Sequence, residues 1–114
     1  MTCTDVYRAW AMGLAHPFDA DGVALVERAF AAAMDFPEPL LIADPLDRDI
    51  AAFLQHAAHG ECAARCARLH EHIISRAERR AQRGDVDAAL VVASWDQLRA
   101  SCRLTTAAGV ARLW

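Results

Sequence analysis

Between Asp44 and Gly84 the apolar residues change direction, and this change limits the fold more than any other feature of the chain. At about 100° per residue, Leu46, Ile50, Phe53, Leu54 and Ala57 centre on one side of a helix. Ala63, Cys66, Ala67, Ile73, Ile74 and Ala77 centre on a side roughly 140° away. One straight amphipathic helix cannot bury both. Gly60 lies where the phase changes and can cap a helix C-terminus, so a break or sharp kink is expected at His59-Gly60-Glu61. The break also moves His56 and His59 to the polar side of the preceding helix, beside Arg48 and Asp49.

The rest of the chain is punctuated for helices as well. Thr4 followed by Asp5 reads as an N-cap, and Pro17 closes a first helix of about residues 5–15. Asp19 or Asp21 can cap a second, VALVERAFAAAMDF, which stops before Pro37. PEPLLIADP is a loop with an apolar middle, expected to pack over the bundle end. Asp44, Pro45 and Asp47 supply an N-cap, a proline at N1 and an acid at N3 for a third helix. A fourth helix, about 61–83, ends at Gly84, and Asp85 caps a fifth, about 86–108. So short a connection requires an antiparallel hairpin. Val91, Trp95, Leu98 and Cys102 form an inward stripe on its second arm.

Ala dominates the hydrophobic 55 % of the chain, aromatic residues are 7 %, and β-branched residues are sparse. With 114 residues the chain is long enough for one core without disulfide staples. The expected fold is therefore all-α: a single domain over 1–114, a helical bundle of about five helices with a hairpin formed by about 61–83 and 86–108. The segment MTCTDVYRAWAMGLAHP lacks the basic and apolar regions of a signal peptide, and no run is long enough for a membrane span. A cytoplasmic protein without a membrane partner is expected, its four Cys being thiols, metal ligands or redox groups rather than a disulfide framework.

Within the fourth helix, Cys62, Cys66 and His70 recur every four residues and share one side. Cys66 lies 18 residues before Gly84 and Cys102 lies 18 after it, so a regular hairpin brings them to the same height, about 27 Å from the turn. The same register sets His70 near Leu98, and Ile73 and Ile74 near Trp95. Three thiolates and an imidazole suit tetrahedral zinc, and two or three thiolates suit copper(I). A reversible Cys66–Cys102 disulfide is the redox variant, and the position of Cys3 is unconstrained. Against these stands the tendency of free Cys to pack as a small hydrophobe, with His70 satisfying its ring nitrogens locally. That packing reading leads, so no cofactor is expected.

On the opposite side, Arg65, Arg68, His72, Arg76, Arg79 and Arg83 fall within an arc of about 80°. The stripe is either a solvated face or a contact for an acidic protein, a second copy included. All twelve basic residues are Arg, which pairs with carboxylate in a way Lys does not. Residues 1–60 carry a net charge of −6 and residues 61–114 one of +3, so the halves are complementary and expected to fold against each other or to pair between copies. No aromatic residue interleaves with the stripe, and nucleic acid is not an expected partner.

Arg65 and His70 have an R-x-x-x-x-H spacing that resembles helical ribonucleases of the HEPN group, although Cys66 stands where those prefer a polar residue. On a regular helix the two side chains point about 140° apart. The C-x-x-x-C helix also resembles those of bacterial copper-storage bundles, which repeat the motif on several helices where this chain has it once. No E-x-x-H pair, H-x-x-x-H pair or glycine-rich phosphate loop marks an enzyme. The reading is a non-enzymatic accessory or regulatory protein that acts through protein–protein contact as a homo-oligomer. The alternative is a metal-binding or thiol-redox protein using Cys62, Cys66, His70 and Cys102.

Overall fold

Two threonines compete to start the first helix, and the earlier one does so. In the computed structural model of the chain, which describes residues 2–16, 18–60 and 63–105 with side chains omitted at 102–105, α1 spans Cys3–Leu14 with Thr2 as N-cap. Asp5 N–H donates to Thr2 Oγ1 and Thr2 N–H donates to Asp5 Oδ2, both at 3.2 Å, a reciprocal capping box. Only the threonine three residues before Asp5 can complete that pair. The helix thus begins before the expected Thr4, which is buried instead.

Four further helices follow among the described residues: α2 Ala20–Met34, α3 Pro45–Ala58, α4 Ala63–Gln82 and α5 Val86–Thr105, with a 3₁₀ turn at Pro39–Leu41. The chain is an all-α bundle, and none of these helices is long and apolar enough to cross a membrane. Asp44 caps α3 as expected, accepting from Asp47 N–H at 3.0 Å. The break after α3 falls where the apolar phase changes, with Gly60 at φ +68°. At the end of α4 a Schellman turn closes the helix. Gly84 N–H bonds to the Ala81 carbonyl at 3.0 Å and Asp85 N–H to that of Arg80 at 3.1 Å, while Gly84 adopts φ +92°. Asp85 then caps α5 by accepting from Ala88 N–H at 3.1 Å.

One core runs through the bundle. Val6, Tyr7 and Trp10 of α1 pack with Ile50, Phe53 and Leu54 of α3, Ile73 of α4, and Val91 and Leu98 of α5. Each such side chain contributes roughly 1.5–3 kcal/mol by leaving water. The contribution of α2 is slighter: Ala29 and Ala33 enter the core, and Gly22 meets Gly13 where α1 and α2 cross. A Cβ on Gly22 would stand 2.1 Å from the His16 carbonyl oxygen, and one on Gly13 would stand 2.6 Å from that of Gly22. Glycine at both positions is what lets these helices lie so close.

The loop after α2 does not fold over the bundle end as its apolar middle led us to expect. Bonds from Leu41 N–H to the Glu38 carbonyl and from Ile42 N–H to that of Pro39 wind it into the 3₁₀ turn. That turn leaves Leu40 82 % and Leu41 76 % exposed. The acidic and basic halves do meet within the chain. Arg76 Nε approaches Asp49 Oδ2 at 3.3 Å and Arg80 Nη2 approaches Asp44 Oδ1 at 2.9 Å, joining the end of α4 to the start of α3.

Candidate functional site

The 3.6-residue repeat of α4 turns Cys66, His70, Ile73 and Ala77 into the core and leaves Arg65, Arg68 and Arg79 exposed, as their phase requires. His70 is 3 % exposed. Its Nε2 lies 2.6 Å from the Tyr7 hydroxyl, and rings from three other helices surround it. Centroids lie 5.8 Å away for Tyr7 and 6.1 Å for Trp10 on α1, 5.2 Å for Phe53 on α3, and 4.2 Å for Trp95 on α5. Burial pushes the His70 pKa down to about 3 and raises that of Tyr7, so both are neutral near pH 7. In the tautomer with its proton on Nδ1, the imidazole accepts the phenolic hydrogen at Nε2. This charge-free pair joins α1 to α4, and the rings of Phe53 and Trp95 bring α3 and α5 to the same point.

His70 therefore faces Trp95, where equal counting from Gly84 put it near Leu98. Three residues correspond to about 4.5 Å along a helix, a displacement that counting outward from a turn glycine does not resolve. Cys66 is 5 % exposed, one turn from His70 on the same face. Cys62 and the side chain of Cys102 lie outside the described residues, so the expected four-residue cluster is represented here by Cys66 and His70. Among the described residues no three His, Cys, Asp or Glu side chains are grouped to hold a metal. Cys3 is partly buried, and its thiol is pushed up to about 11 by burial and then by Asp47 and Asp44. Arg65 is exposed while His70 is buried, so the R-x-x-x-x-H pair points apart.

No protein-family model, curated protein or solved structure corresponds to the chain.

The outer face of α4 forms the second candidate site. Arg65, Arg68, His72, Arg79 and Arg83 are exposed there, whereas Arg76 turns toward α3 and pairs with Asp49. Arg80, which lies beyond the expected arc, pairs with Asp44. Arg68, Arg79 and Arg83 have no ion-pair partner among the described residues. Tyr7, Trp10 and Phe53 were not identified as neighbours of His70 from sequence. The available signal was a phenol on an otherwise apolar helix face, since a buried Tyr hydroxyl needs a polar partner.

Proposed function

We propose that the chain is a non-enzymatic helical accessory protein of the cytoplasm that recognises an acidic protein surface through the outer face of α4. The observation that carries this reading is the contrast within one helix. Arg76 and Arg80 are used up in pairs with α3, while Arg68, Arg79 and Arg83 stand exposed without acidic partners among the described residues. The exposed set runs about 22 Å along the helix from Arg68 to Arg83, with His72 between. Guanidinium forks in a row favour carboxylates, which they bind bidentately. Aromatic platforms for bases are absent from the row, and a net charge of −3 opposes diffuse attraction to nucleic acid. His70, the side chain most suited to proton transfer, is spent on Tyr7 inside the core.

An immobilised glutamate-rich peptide provides the test. The native chain is expected to bind it and to release it as salt is raised. Arg79→Glu combined with Arg83→Glu is expected to weaken binding at least about tenfold with the helical circular-dichroism signal intact. Binding that is absent from the native chain, or unchanged in the variant, would count against the reading.

A further inference from the structure

Four arginines are half-buried among the described residues, and three of them have acceptors. Arg48 donates to the Ile42 and Ala43 carbonyls, while Arg76 and Arg80 pair with Asp49 and Asp44. Arg8, on α1, has neither a hydrogen-bond acceptor nor an ion-pair partner among the described residues. The carboxylate one turn before it, Asp5, is engaged in the Thr2 cap. A guanidinium drawn partway out of water without an acceptor stands to gain from one.

Arg8 lines a groove of about 410 Å³ between α1 and α5, within the size range of small-molecule sites. Ala11, Met12 and Ala15 continue the α1 wall, and Ala100 belongs to the wall formed by α5. Alanines on both helices leave the space unfilled. Gln97 brings a side-chain amide from α5, also without a hydrogen-bond partner among the described residues. No carboxylate lines the groove among the described residues, so nothing in its walls competes for Arg8.

From this we propose that the groove binds a small monocarboxylate with an apolar chain, the carboxylate held by Arg8 and the chain lying on Ala11, Met12 and Ala15. The planar fork of a guanidinium matches a carboxylate and pairs with it bidentately. Gln97 can donate to the same oxygens from the opposite wall. One half-buried cation calls for one negative charge. His16, eight residues on, also lines the groove but is exposed, where water and salt screen whatever charge it carries. From Arg8 to Ala15 the α1 wall runs about 10 Å. That is the length of an extended chain of about eight carbons.

Octanoate is the probe, read by nuclear magnetic resonance of isotopically labelled methionine methyl groups. Met12 lines the groove, whereas Met34, exposed on α2, lies outside it. Octanoate is expected to shift the Met12 signal saturably, at one molecule per chain, and to leave that of Met34 in place. Octanol, which lacks the charge, and acetate, which lacks the chain, are each expected to bind at least about tenfold more weakly. Arg8→Gln is expected to weaken octanoate binding at least about tenfold with the helical circular-dichroism signal intact. Ala100→Trp, at an exposed position of the α5 wall, is expected to fill the groove and weaken binding likewise. Neither variant alters the arginines of α4, so capture of an acidic peptide succeeds or fails separately. A Met12 signal that does not respond would overturn the inference, as would octanol binding as tightly as octanoate or binding unchanged in both variants. A response at Met34 in place of Met12 would also overturn it, and tighter binding of inorganic phosphate would overturn the choice of a carboxylate.

Discussion

Protonating His70 places a charge among four aromatic rings, and the folded chain resists it. The imidazole takes its proton near pH 6.5 when unfolded and near about 3 when folded, because burial disfavours the charged form. Between those values the unfolded state binds more protons, so the contribution of His70 to stability is complete above about pH 6.5 and declines as pH falls toward 3. The slope is about 1.4 kcal/mol per pH unit, or about 2 kcal/mol lost by pH 5. Urea unfolding at pH 7 and pH 5 is expected to show that loss in the native chain beyond whatever His70→Gln shows. Equal pH dependence in the two proteins would contradict it. That His70 and Cys66 turn inward was legible from the repeat of α4. Its bond to Tyr7 was not, because periodicity fixes which side of a helix is buried and leaves open which of several neighbours meets it.

Helix ends and crossings obey different rules of legibility. The α3 start was readable to the residue, since Asp44, Pro45 and Asp47 form a strictly local code, and so was the hairpin around Gly84 and Asp85. At α1 the same code was ambiguous, with two threonines near one aspartate. The crossing of α1 and α2 left no local trace at all: Gly13 and Gly22 look like ordinary weak points in helical stretches. Their role predicts an inversion of propensity. Gly22→Ala, favoured by about 1 kcal/mol in an isolated helix, is expected to destabilise the fold by about 2 kcal/mol because its Cβ would meet the His16 carbonyl. Gly60→Ala meets no atom within 4 Å and is expected to cost about 1 kcal/mol, from its left-handed φ of +68° alone. Thermal unfolding of the two variants orders them, and a stabilising Gly22→Ala would refute the close approach.

Across the whole molecule, the charge imbalance between halves is resolved partly inside the chain, where Arg76 and Arg80 bridge to α3. These side chains are partly exposed, so each pair contributes under about 1 kcal/mol. Asp44 has a second task as the α3 cap. Asp44→Ala is therefore expected to cost about 1–2 kcal/mol, and Arg80→Ala less, with only the Arg80 effect vanishing in 1 M salt. Denaturant titration at low and high salt separates the two, and equal costs for the two variants at both salt levels would mean the cap adds nothing. The Tyr7–His70 bond joins positions 63 apart. On a ribosome adding about 5–20 residues each second, α1 waits about 3–13 s before His70 is made, and longer before Trp95 arrives. Through that interval the nascent chain carries Tyr7 and Trp10 on a face with no ring from α4 or α5 to close it. Synthesis and closure of the core are thus separate events, with the C-terminal hairpin sealing a half-built bundle.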